Sequence, residues 1–217
     1  VFRLRSVGAA LTIKASYEEV LRSDQNKYEL LHKLFRQEKS AEVSLVHRLS
    51  TLIPKGAKLY LGNSMPIREW DLAASFEDRG IEVIASRGAN GIDGQLSTFL
   101  GACEANKENW AIVGDLTSLY DLVAPWSLSQ IQAMPVKIVV INNRGGKIFS
   151  RLFENKSFQN CHQFNFIHWA HMWNLHYECW QDIPQTLPSK SQMIIELQPE
   201  EAASQRFWSK YDLLMSS

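Results

Sequence analysis

The feature that most constrains this 217-residue chain is a regular alternation of short apolar runs with segments of helical character. AKLYL (57–61), IEVIAS (81–86), NWAIVG (109–114), VKIVVIN (136–142) and SQMIIEL (191–197) are rich in β-branched residues and apolar at consecutive positions. That is the pattern of strands covered on both faces, since a strand with one wet face would alternate. HYECW (176–180) is a candidate sixth strand, and 65–76, 95–105, 118–133, 166–175 and 200–214 read as helical. Ahead of the first strand, Val43, Val46, Leu49 and Ile53 recur at helical spacing until Pro54-Lys55-Gly56 stops the helix. Parallel neighbours need crossover connections, so the fold class expected is α/β, a parallel sheet of about six strands with helices on both faces.

Composition enters as a set of exclusions. Lysine plus arginine equals aspartate plus glutamate, 23 against 23, so no large basic footprint argues for nucleic acid. No stretch approaches the length of a membrane span, and the N-terminus lacks a signal peptide's apolar core. Three scattered cysteines without a CxxC suit a reducing compartment, the cytoplasm, better than a disulfide scaffold. Residues 1–41 are charged and weakly periodic and read as an arm or the tail of a preceding domain, with one domain over 42–217. The start at Val1 leads to the expectation of a longer parent chain.

In open parallel sheets, ligands bind beyond the carboxyl ends of the strands. There this chain places Gly62-Asn63-Ser64, then Arg87 to Gly94, then Asp115, then Asn143-Arg144-Gly145-Gly146. Glycine permits close backbone approach to a ligand and a following helix N-terminus suits phosphate, although such turns need glycine for their own geometry. The polar residues add more. A hard cation such as Mg²⁺ takes oxygen ligands, few of them from protein when phosphates supply others. Asp115 offers an anionic oxygen and Asn143 an amide oxygen, and if their strands are neighbours both project over one sheet edge. Asp115 has a second reading as a helix N-cap. Arg68 and Arg87 read either as anion-binding guanidinium groups at strand-end loops or as a solvated arginine and a packing ion pair.

Gly114-Asp115 followed by Asn142-Asn143 resembles the GD…NN motif of the thiamine-diphosphate enzymes, the family of pyruvate decarboxylase and acetolactate synthase. GNSMPIR (62–68), SRGANGIDG (86–94), GDLTSLYDL (114–122) and NNRGGKIF (142–149), in that order, are similar to the C-terminal cofactor domain of the SEPHCHC synthases of menaquinone biosynthesis. The resemblance covers roughly 42–197 and implies a thiamine-diphosphate-binding fold of the pyrophosphate type. It implies Mg²⁺ or Mn²⁺ on Asp115, Asn143 and the Gly145 carbonyl. Gly114, Leu116, Thr117, Gly146, Lys147 and Ile148 would line the diphosphate, with Asn63 and Gly91 also on the cofactor. Ile92 would hold the cofactor bent, and Ser64, Arg68 and Arg87 would orient carboxylate substrates. The implied reaction decarboxylates 2-oxoglutarate and adds the succinyl-semialdehyde carbanion to isochorismate.

The same resemblance implies a transferase that is a homo-oligomer, whose activating glutamate comes from an N-terminal pyrimidine-binding domain of a neighbouring subunit. These 217 residues have no room for that domain, so the isolated segment is expected not to turn over. Arg144 departs from the family pattern, with two readings: contact with phosphate, or exposure to solvent. The stretch after Phe149 is short, and Leu152 is a candidate lid residue. Cys161, His162, His168, His171, His176 and Cys179 lack the spacing of a structural zinc site, and the preferred reading is a packed helix bearing His168, His171 and Trp173. Trp70, Trp110, Trp126 and Trp208 read as core or interface anchors. Two further functional readings stay open: another thiamine-diphosphate decarboxylase or carboligase, and a non-enzymatic diphosphate-binding or dimerisation module.

Overall fold

The structure, a computed structural model, describes residues 12–88, 90–148, 150–151 and 155–216, without the side chains of residues 12–16 and 156. In chain order the elements are α1 (Thr12–Gln37), α2 (Glu42–Leu52), β1 (Lys58–Leu61), α3 (Met65–Ala73), β2 (Glu82–Ala85), α4 (Gln95–Ala102), β3 (Asn109–Gly114) and α5 (Asp115–Tyr120). There follow β4 (Val136–Ile141), α6 (Ile167–Met172), β5 (His176–Trp180), β6 (Gln192–Leu197) and α7 (Glu201–Ser216). The strands form one six-stranded sheet in the order β2-β1-β3-β4-β6-β5. Every pairing is parallel.

The apolar runs explain the layering. Successive side chains point to opposite faces, so Leu59, Leu61, Trp110, Ile112, Val139, Ile141, Met193 and Ile195 form one cluster with Leu45, Val46, Leu49 and Ile53 of α2 and its C-terminal end. Tyr60, Ala111, Val113, Ile138, Val140 and Ile194 face the other way, onto Leu96, Phe99 and Leu100 of α4 and Trp169 and Ala170 of α6. Fully burying one such aliphatic side chain contributes about 1.5–3 kcal/mol. Both faces of the sheet therefore carry the stability, and its loops are left free for ligands.

Topology then selects the loops. The chain leaves β1 for β2 on one side, and β3 returns on the other side of β1. Strand order reverses between β1 and β3, and in open α/β sheets the crevice over such a reversal takes the ligand. β3 and β4 are neighbours, with Gly114 paired to Ile141. Asp115 and the Asn142-Asn143 pair thus leave adjacent strands at the same edge of the sheet.

Two helical segments differ from the sequence reading. The helix expected over 118–133 starts at Asp115, stops at Tyr120 and gives way to a 3₁₀ turn over Ala124–Ser129. Pro125 opens that turn and has no N–H to continue an α-helix, while Asp121 turns inward to accept hydrogen bonds from Ser97 N and Oγ. Residues 12–37 form one helix in place of a weakly periodic arm. Only its last turns pack, through Leu31, Leu34 and Phe35 against Val43, Ala73, Ala203 and Phe207, so its apolar period is short. Residues 1–11 lie outside the described residues. Trp110 is core, Trp70 packs against the same cluster, Trp208 packs beside Phe207 and Trp126 is exposed.

Candidate functional site

Over the β1/β3 reversal lies a cleft of about 320 Å³. It is lined by Asn63, Ser64, Arg68, Arg87, Ile92, Gly114, Asp115, Leu116, Thr117, Asn143, Gly145, Gly146, Lys147 and Ile148, which are the residues singled out in the sequence except Gly91. Gly91 stands just behind the wall, its carbonyl accepting hydrogen bonds from Asn63 Nδ2 at 2.8 Å and Gln95 Nε2 at 2.6 Å. Leu152 lies outside the described residues.

Asp115 is the first residue of α5 and only 2% exposed. One carboxylate oxygen accepts from Leu116 N at 2.6 Å, the other from Gly145 N at 2.8 Å and from His162 Nε2 at 3.1 Å. Burial nevertheless holds its pKa above the usual aspartate value, against the pull of those backbone N–H groups and of His162. The carboxylate is therefore poorly solvated as an anion and would gain from a cation. Position 145 has to be glycine: its φ is +141°, and a Cβ there would collide with the Gln159 carbonyl oxygen. This tight turn brings the Gly145 N–H onto Asp115.

The two asparagines after β4 have different work. Asn142 is buried and structural, its amide donating to Phe164 O at 2.9 Å and Glu196 Oε1 at 2.8 Å while its oxygen accepts from Arg144 N. Asn143 lines the cleft and donates from Nδ2 to both Glu42 oxygens, 3.0 Å each. Its Oδ1 is buried without a hydrogen-bond partner among the described residues. A buried acceptor left this way costs about 1–3 kcal/mol, and native structures rarely carry one without a purpose.

Glu42 and Glu69 were not found by sequence reasoning. Burial pushes the Glu42 carboxyl up to about 7, helped by repulsion from Asp115 and opposed by the Asn143 amide. Burial and the neighbouring Glu42 likewise hold Glu69 well above the ordinary range. Neither has a motif; each sits at an ordinary acidic position of a helix, and only the fold brings Glu42 to the cleft and Glu69 against Glu42. His162, which the sequence offered only within a group lacking zinc-site spacing, is brought to Asp115.

The loops after β1 and β2 are knotted together. Asn63 donates its backbone N–H to Gln95 Oε1 at 2.8 Å, and its Oδ1 accepts from Arg87 at 3.2 Å. Arg68 folds back to donate to Ser64 O at 2.6 Å, with Ser64 at φ 73°. Both guanidinium groups are at the cleft and exposed. Lys147 Nζ reaches Gln159 Oε1 at 3.1 Å and Glu201 Oε1 at 3.3 Å. Arg144 is exposed and donates to Gln163 Oε1 at 3.0 Å.

Among the described residues no three His, Cys, Asp or Glu groups converge as a cage for a metal ion. A Mg²⁺ ion that keeps phosphate and water ligands needs no such cage, and one buried carboxylate and one orphaned amide oxygen, from two residues lining the same cleft, are a donor set of the kind it takes. No described helix is long and apolar enough to cross a membrane, and the three cysteines are free.

Fold and cleft define an α/β protein of the open parallel-sheet class, with polar and glycine loops gathered at the strand-order reversal. No family model matches the chain. Over 205 residues, 93% of the chain, it is 44% identical to the 2-succinyl-5-enolpyruvyl-6-hydroxy-3-cyclohexene-1-carboxylate synthase of Bdellovibrio bacteriovorus. The chain is homologous to a C-terminal portion of that synthase. It spans 38% of the relative's length.

Proposed function

We propose that this chain is the pyrophosphate- and metal-binding part of a thiamine-diphosphate-dependent synthase that joins a unit from 2-oxoglutarate to isochorismate. The observation that carries the reading is the orphaned Oδ1 of Asn143 beside the buried Asp115 carboxylate, on adjacent strand ends in one cleft. Asp115, Asn143 and the Gly145 carbonyl would hold Mg²⁺ or Mn²⁺. Gly114, Leu116, Thr117, Gly146, Lys147 and Ile148 would border the diphosphate, with Asn63 and Gly91 shaping the wall and Ile92 supporting the thiazolium. Bound thiamine diphosphate supplies the nucleophile and electron sink that a 2-oxo acid needs in order to lose CO₂. The chain's own part is to bind and orient: Arg68 and Arg87 present exposed guanidinium groups to the substrates' carboxylates, and Ser64 adds a hydroxyl.

Residues 42–217 would be the binding domain and 1–41 the end of a preceding one, within a cytoplasmic homo-oligomer whose pyrimidine-binding domain comes from a neighbouring subunit. The reading predicts that the isolated chain does not turn over; steady decarboxylation of 2-oxoglutarate by it would refute that part. The core of the proposal is tested by titration calorimetry with thiamine diphosphate and Mg²⁺, against ADP and Mg²⁺, before and after Asp115→Ala. Metal-dependent binding selective for thiamine diphosphate and abolished by the substitution supports it. Equal binding of ADP would favour a general diphosphate module.

A further inference from the structure

Glu42 opens α2, 101 positions from Asn143, and is 6% exposed. Its carboxylate meets Asn143 through one atom: Nδ2 lies 3.0 Å from both Glu42 oxygens. A carboxylate can only accept, so the amide atom equidistant from its two oxygens has to be the NH₂ group. With Glu42 ionised, the amide cannot turn over without setting its carbonyl oxygen against both carboxylate oxygens. Oδ1 is therefore fixed on the other side of the group, where it is buried without a partner among the described residues. Glu42 is itself held, its backbone N–H donating to Ser204 Oγ of α7 at 3.0 Å.

Resting on the function proposed above, we infer that Glu42 is a positioning residue that locks the Asn143 amide with its oxygen presented to a divalent cation shared with Asp115. Outer groups that orient metal ligands typically matter by about 10–100-fold in metal affinity. The competing account gives Glu42 a purely structural role, an acidic side chain in the first turn of a helix favoured by the helix dipole. That role would move the melting temperature and leave the cation alone.

The two accounts separate in a double-mutant cycle on the full 217-residue chain. Mn²⁺ binding in the presence of thiamine diphosphate is read by electron paramagnetic resonance for the unsubstituted chain, Glu42→Gln, Asn143→Ala and the double variant. Glutamine presents a donor as well as an acceptor and so lets the Asn143 amide turn over. Glu42→Gln is expected to weaken Mn²⁺ by about 10-fold or more. In the Asn143→Ala background the same change should have less than about a two-fold effect, since the residue it acts through is gone. Melting curves without metal confirm that each variant is folded. Unchanged Mn²⁺ affinity in Glu42→Gln, or an equal loss in both backgrounds, overturns the inference while leaving the function standing if Asn143→Ala still weakens the ion. No Mn²⁺ binding by the unsubstituted chain overturns both.

Discussion

Glu38 and Glu42 flank the junction of α1 and α2, each 6% exposed, and their carboxylates meet opposite company. Glu38 accepts from Lys210 Nζ at 2.6 Å and Arg206 Nε at 2.9 Å, both on α7. The Lys210 hydrogen bond, with help from Arg206, holds its pKa below the ordinary glutamate value against burial. Glu42 faces Asp115 and Glu69, and its pKa is pushed up to about 7 chiefly by burial, with Lys147 and the Asn143 amide pulling the other way. The first acid clamps two helices and is matched by cations. The second belongs to a cluster of three buried acids at the cleft, which by itself opposes folding. Such a conflict is expected where a residue serves a ligand, and perturbed acids gather at such sites.

The sharpest test of this contrast is Glu69. Both of its oxygens are buried without a regular hydrogen bond, and its charge is disfavoured by burial and by Glu42. Glu69→Met keeps the volume and removes the polar atoms, so it should stabilise the chain by about 2 kcal/mol in urea unfolding at neutral pH. Because the hydrogen-bonding contact with Glu69 pulls the Glu42 carboxyl down, the same variant should leave that carboxyl further above the ordinary range. A loss of stability would mean that the acid pair is structural after all.

Glu38→Gln should act in the opposite direction and less strongly. Arg206 and Lys210 have side chains 52% and 46% exposed and regain water when the carboxylate is lost, so the cost should be about 1 kcal/mol. The pH dependence follows from the direction of the shift. An unfolded glutamate titrates near 4.5 and the folded Glu38 lower, so the stabilisation is complete above about 4.5 and disappears as pH falls through the folded value. Unfolding curves of the two proteins should therefore differ at pH 7 and converge in acid. A constant gap would assign the effect to packing.

How legible each region was follows from the same contrast. The strands were plain because β3 and β4 are covered on both faces and their apolar residues run without a break. Asp115 and Asn143 stand out in the sequence because they follow those runs, where a parallel sheet gathers ligands. Their placement on adjacent strand ends was conditional in the sequence and is supplied by the Gly114 to Ile141 pairing. Glu42 and His162 carried no signal, since their contacts join residues 101 and 47 positions apart and depend on how α2 and the 159–163 loop are delivered. The helix α1 was missed for a related reason: most of its length is exposed and only its last turns show an apolar face.

Arg144 gives the smallest effect and marks the border of the acid cluster. It sits in the turn between Asn143 and Gly145, yet its guanidinium donates to Gln163 in solvent, and Arg144 does not line the cleft over the β1/β3 reversal. Its backbone carries the structural part, with N–H to Asn142 Oδ1 and its carbonyl accepting from His162 N, and any residue can supply both. Its φ of 65° lies in the left-handed region, where a non-glycine residue costs about 1 kcal/mol. Arg144→Gly should thus be neutral or stabilising by up to about 1 kcal/mol, whereas Arg144→Ala keeps the strain and should change stability by less than about 0.5 kcal/mol. Neither should move metal-dependent thiamine diphosphate affinity by more than about two-fold, the ordinary scatter between uncoupled sites. A ten-fold loss in Arg144→Ala would place the guanidinium with Lys147 among the groups proposed to border the diphosphate, and would move the boundary between matched and unmatched charge one residue further round the turn.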